Sequence, residues 1–146
     1  MSNLSIFDNF PISKESILSL QKEVLKLPQY QPITKHYFHG GMYCREVYRD
    51  ADVLVIGGVH KSEHFYVIAS GTVVVTTDNG IEKISGPRVI KSLPGTKRAV
   101  YSETPSVCLT FHKTDAKTVE EAAEELFEKD ENSMYDSYNN VKGVLT

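Results

Sequence analysis

The chain has 146 residues, 40% of them hydrophobic, which is enough for one core and one domain. Its formal net charge of −3 at pH 7 supplies no basic field for nucleic acid or an anionic membrane, and the longest apolar run, Val53–Gly58, is far short of a membrane span. The opening Met1-Ser2-Asn3-Leu4 lacks the basic and apolar regions of a secretory leader, so the protein is expected to stay where it is made.

Ile17, Leu20, Val24 and Leu27 recur every three or four residues, which predicts an amphipathic helix over Ser13–Leu27, capped by Ser13 and stopped by Pro28. Between Thr34 and His112 the pattern changes to short runs rich in Val, Ile, Tyr, Phe and Thr, broken by glycine. Eight strands are expected: Tyr43–Arg49, Val53–Ile56, Glu63–Ala69, Thr72–Thr77, Ile81–Ile84, Arg88–Lys91, Arg98–Ser102 and Val107–Phe111. Asp78-Asn79-Gly80 is the clearest hairpin turn, because asparagine and glycine tolerate positive φ. Arg45, Glu46, Arg49, Asp50 and Asp52 read as a strand edge of mixed charge, and Cys44 and Cys108 as reduced packing residues. A capping box at Thr118-Val119-Glu120-Glu121 opens a second helix, Thr118–Lys129, with Val119, Ala122, Ala123, Leu126 and Phe127 on its apolar face. The tail from Asp130 has no period, yet Met134, Tyr135, Tyr138, Val141 and Leu145 make it more apolar than a free tail requires. The expected organisation is a helical segment over 1–33, a β-barrel over 34–114 and a helix with tail over 115–146, all-β with two flanking helices.

The chemistry concentrates between Gly57 and Gly71, where His60 and His64 stand four apart at the join of two strands and can converge inside a barrel. This segment resembles the first cupin motif, G-x5-H-x-H-x3,4-E-x6-G, and Leu93-Pro94-Gly95-Thr96-Lys97-Arg98 resembles the second, P-x-G-x-x-H. Counted from Gly71, His64 takes the motif's glutamate position, His60 its second histidine and Gly58 its first. Arg98 takes the last histidine position of the second motif. His36 to Thr114 further resembles cupin-like proteins of tailed bacteriophages with no assigned activity, through His36–Glu46, His60–His64, Pro94–Ala99 and His112-Lys113-Thr114. The resemblance implies a jelly-roll barrel (a double-stranded β-helix), and a setting in the host cytoplasm or with the virion.

Three functions fit these residues. In the first, the barrel binds a small anionic ligand, such as a nucleotide or sugar phosphate, through His60, His64, Lys97 and Arg98, with Tyr66 and Tyr101 available for stacking. The barrel of cyclic-nucleotide-binding domains, which also hold phosphate with an arginine, is similar at the level of fold. In the second, His60, His64 and His112 form a zinc, iron or manganese site with an open position, in a metal-dependent enzyme. Glu63 could add a carboxylate, but strand alternation points it away from His64. An inward Arg98 opposes this reading, since two unit charges at ~4 Å and an effective dielectric near 20 repel by about 4 kcal/mol, and a divalent ion about doubles that. In the third, the barrel is a scaffold in a virion structural or assembly protein. The apolar helix faces at either end suit a homodimer.

Overall fold

The computed structural model describes residues 14–77 and 79–142. In chain order these form α1 (Lys14–Val24), β1 (Ile33–His39), β2 (Met42–Arg49), β3 (Val53–Ile56), β4 (His64–Ser70), β5 (Thr72–Thr77), β6 (Gly80–Ser85), β7 (Arg88–Ser92), β8 (Ala99–Ser102), β9 (Ser106–Lys113) and α2 (Val119–Leu126). Alternating side chains give each strand one face to bury, and the strands bury it by stacking two antiparallel sheets. One sheet has the order β1-β2-β9-β4-β7 and the other β3-β8-β5-β6. Apart from the β1–β2 and β5–β6 hairpins, each consecutive strand crosses to the opposite sheet, which is the jelly-roll path. Among the described residues no ladder joins the sheets, so the expected closed barrel is a two-sheet jelly-roll sandwich.

Tyr66, Ile68, Val73, Val75, Ile84, Val100 and Cys108 fill the space between the sheets. A second cluster covers the outer face of the four-stranded sheet, where Ile17 and Val24 of α1 and Met134, Tyr135 and Val141 of the tail meet Ile56, Val74, Ala99 and Tyr101. Burying each such large side chain contributes about 1.5–3 kcal/mol. The apolar sides of both helices are thus occupied within the chain: Val119, Ala122 and Leu126 of α2 are buried, the last two against Tyr43. Exposed apolar side chains lie just beyond α1 at Leu25 and Leu27, at Leu93 and Tyr138, and on the outside of the five-stranded sheet at Ile33, Tyr37, Met42, Phe65 and Val89.

Several element bounds differ from expectation for local reasons. The Gln29 side chain donates to the carbonyls of Val24 and Leu27, capping α1 early, while its expected N-cap, Ser13, lies outside the described residues, as do Asp78 of the hairpin turn and Leu145 of the tail. Thr118 does cap α2, accepting from the Glu121 N–H, but the helix stops at Leu126 because Phe127 turns extended and bridges to His60. Strand β1 was not expected. It pairs with Met42 to Tyr48 of β2, so Arg45 and Glu46 lie inside the sheet rather than at its edge. No described helix is long and apolar enough to cross a membrane.

The last glycine of the first motif, Gly71, links β4 to β5 with φ +85°, and a Cβ there would stand 2.3 Å from the Pro105 carbonyl oxygen. Backbone cannot yield as a flexible side chain would, and a left-handed conformation alone costs about 1–3 kcal/mol for an L side chain. Gly71→Ala should therefore lower stability in urea unfolding by at least about 2 kcal/mol, and a loss under about 0.5 kcal/mol would contradict this packing.

Candidate functional site

The phase of three strands decides which side chains enter the sandwich. Tyr43, Arg45, Val47 and Arg49 on β2, His64, Tyr66 and Ile68 on β4, and Cys108, Thr110 and His112 on β9 share the inner face. His60 precedes β4 in an irregular segment that the second motif holds in place. Its N–H donates to the Thr96 carbonyl at 3.0 Å and its own carbonyl accepts from the Gly95 N–H at 2.8 Å. On its other side the chain is tied to the end of α2, with Lys61 N–H donating to Leu126 and Glu128 N–H to Val59.

These elements bring three imidazoles together. The ring centroids of His60 and His64 are 4.1 Å apart, those of His64 and His112 4.3 Å, and those of His60 and His112 5.0 Å, with all three rings stacked. One nitrogen from each lies within 4.8 Å of the others. The Nδ1–H of His64 donates to the Ser62 carbonyl, which leaves its Nε2 as a bare lone pair. His60 Nδ1 and His112 Nε2 face each other at 2.9 Å. Two nitrogens each about 2.0–2.1 Å from one ion would be roughly 2.9–3.4 Å apart, so this pair stands at ligand spacing. Burial lowers all three pKa values. For His60 the drop is large and is reinforced by the other two histidines and by Arg45 and Arg98, and His112, 1% exposed, falls to about 3. The rings are therefore neutral at pH 7, the form that ligates metals. Phe127 lies against His60 and His112, and its ring touches the space beside Gly58, the motif position that lacks a side chain.

His60 and His64 line a cavity of about 660 Å³, within the range of small-molecule sites, and the buried His112 stands behind them. Arg98 points inward: its two Nη atoms donate to the Thr76 carbonyl (2.7 Å) and the Ser92 hydroxyl (2.6 Å), and it stacks over Tyr66. Ser92 pairs with His64 across β4 and β7, so the guanidinium sits beside the histidines with two of its nitrogens aimed at neutral acceptors. Tyr66 lines the cavity too. Two other expected ligand-binding residues stand elsewhere. Lys97 is 6% exposed and donates to the Gly57 carbonyl while pairing with Asp130 at 3.4 Å, and Tyr101 packs in the outer cluster with its hydroxyl on Asp52. Glu63 is exposed, as alternation predicts. Of the remaining histidines, His36 bonds Tyr43 and His39 is exposed.

Arg45, Arg49 and Phe127 also line the cavity, and sequence reasoning did not place them there. A signal existed. Tyr43 and Val47 fix the inward phase of β2, and Arg45 and Arg49 follow that phase at every second residue. Acidic residues of the α2 end and tail, among them Glu124, Asp130 and Asp136, complete the lining.

No protein-family model and no curated protein matches the chain. Among solved structures it is similar to a cupin superfamily protein from Desulfitobacterium hafniense, with a TM-score of 0.50 and 13% identity over 61% of this chain and 83% of that one. It is also similar to a salicylate 1,2-dioxygenase from Pseudaminobacter salicylatoxidans (TM-score 0.52, 11% identity, 68% of this chain and 32% of that one). A DMSP lyase from Ruegeria pomeroyi matches at TM-score 0.51 and 14% identity, over 60% of this chain and 49% of that one. At such identities the likeness concerns the fold, which is the cupin jelly roll. The resemblance to phage proteins rests on the sequence motifs alone.

The lowered histidine pKa values set a pH dependence. In the unfolded chain a histidine titrates near 6.5, whereas folded His112 takes no proton until about pH 3. The unfolded state binds more protons across that window, so the fold loses stability as pH falls from 6.5 toward 3 and is unaffected above it. For chelator-treated protein, urea midpoints should fall steadily from pH 7 to pH 4. His112→Asn should flatten the slope by up to about 1.4 kcal/mol per pH unit, and an unchanged slope would contradict a buried neutral His112.

Proposed function

We propose that this protein binds a divalent metal through His60, His64 and His112 and uses the adjoining cavity to hold a small anionic organic molecule. The observation that carries the reading is the convergence of three neutral imidazoles, one nitrogen from each within 4.8 Å of the others. Among the described residues that group contains no carboxylate or thiolate. Three imidazoles suit zinc or iron(II), whereas manganese favours oxygen donors, so the donor set narrows the expected metals to the first two. A metal held by three protein ligands keeps open positions, and it would there polarise a bound oxygen or lower the pKa of a bound water.

The protein's own groups supply the rest. The Ser62 carbonyl fixes the His64 tautomer, and the hydrogen bonds between His60 and the Gly95–Thr96 backbone fix the place of the second ring. Phe127 walls one side of the cluster and limits water there. Arg98 and Arg45 place positive charge beside the histidines, lowering the His60 pKa and favouring a ligand of opposite sign. An inward arginine and a metal are compatible when an anion shares the cavity, because the anion screens the one from the other. The fold neighbours include a dioxygenase and a lyase, which supports a small-molecule site in this sandwich.

Elemental analysis of protein purified without an affinity tag should find close to one zinc or iron per chain. His60→Ala, His64→Ala and His112→Ala should each remove it, while Arg98→Ala should retain it. Substoichiometric metal in the wild type, or full retention in any two of the histidine variants, would refute the site.

A further inference from the structure

Three guanidinium groups line the cavity, and they differ in what already holds them. Arg98 is held by Thr76 and Ser92, and Arg45 donates to the Tyr43 hydroxyl and the Ser137 carbonyl, each at 3.3 Å. Arg49 is held less, with two of its three nitrogens unsatisfied. Its Nε and Nη1 are buried without a hydrogen-bond partner, and the same is true of the Tyr66 hydroxyl beside it. No described carboxylate stands within ion-pair distance of Arg49. Its polar neighbours include the hydroxyls of Tyr66 and Tyr135, neutral groups that supply no counter-charge. A guanidinium whose buried nitrogens face neutral groups lacks the counter-charge that makes burial tolerable.

We propose that Arg49 and the Tyr66 hydroxyl seat the carboxylate of a small acid with an apolar body. This deepens the function proposed above and rests on it for the anionic ligand, not for the metal. Arg49 pairs across the sheet with Ser106 and Tyr43 with His112, so Arg49 enters the cavity from the end of β2 away from the histidines. Tyr66 lies two residues beyond His64 on the same face, roughly 7 Å along the strand. An acid anchored at Arg49 and Tyr66 therefore extends toward the histidine cluster along Val47, Val55 and Val100, which present no polar side-chain atoms. One guanidinium balances one carboxylate, and its nitrogens with a tyrosine hydroxyl satisfy two oxygens. A phosphate dianion would carry a second charge and press a further oxygen toward those valines.

The test uses the full chain, both as purified and after chelation, with butyrate and benzoate as probes against butyramide, benzamide and phenyl phosphate. Titration calorimetry should show that at least one of the two acids binds, at least tenfold more tightly than its amide and than phenyl phosphate, in both preparations. Arg49→Met should weaken that acid at least tenfold and leave the metal content unchanged. It should also leave the melting temperature of ligand-free protein the same or higher, because an unpaired buried charge has gone. Tyr66→Phe should weaken binding about threefold or more. Equal binding of acid and amide, tighter binding of phenyl phosphate, or no binding of either acid overturns the proposal without recourse to a variant. So does Arg49→Met protein that melts well below wild type, since that marks the arginine as structural. Failure of the metal reading is seen separately, in the elemental analysis.

Discussion

Stacking three imidazoles within 5.0 Å of one another sets a condition on the whole interior: protonating one raises the cost of protonating the others. The fold satisfies that condition by burying the cluster between the five-stranded sheet and the end of α2 and by placing arginines beside it. Neutral rings with converging lone pairs are poor partners for each other, because a hydrogen bond needs one proton for every two nitrogens. His60 and His112 can share a single proton across 2.9 Å, and His64 has spent its own on Ser62. A shared cation satisfies every lone pair at once, which is why the arrangement reads as a coordination site rather than as core packing.

The positions of the histidines depend on parts of the chain far apart in sequence. His64 and His112 come from β4 and β9, neighbours in the centre of the five-stranded sheet, where two flanking strands fix their backbone. His60 is on a loop, and three segments hold it: the glycine turn of the second motif, the bridge to Phe127, and the ties from α2 to Val59 and Lys61. The C-terminal segment therefore walls the site as well as covering the outer sheet. Its residues Met134, Tyr135 and Val141 pack with α1, so that segment and the helix stabilise each other. Gly58 belongs to the same arrangement, since the room left by its missing side chain adjoins the Phe127 ring.

Most of this architecture was legible in the sequence. The alternation of Val, Ile and Tyr between glycine turns located eight strands to within a few residues, and the two motifs placed His60 and His64 at one site. His112 was harder, because nothing in its local sequence separates a strand-end histidine from an inward one. Only the register between β9 and β2 does so. The strand β1 escaped because Lys35 and His39 share a face with Ile33 and Tyr37, which blurs the period of two. Missing it turned β2 into an apparent edge and made Arg45 and Arg49 look solvated. Lys97 and Tyr101 lie outside the cavity lining, because backbone phase and the tie to Asp130 direct them elsewhere although their residue types suit a ligand.

Whether His60, His64 and His112 share one cation is read out by crystallographic anomalous diffraction. Data collected above and below the zinc and iron absorption edges, from untagged protein grown without added metal, locate any such ion and identify it. A single strong anomalous peak is expected about 2.0–2.2 Å from one nitrogen of each histidine. Density showing no peak there, with His60 Nδ1 and His112 Nε2 still joined by a direct hydrogen bond, would contradict it.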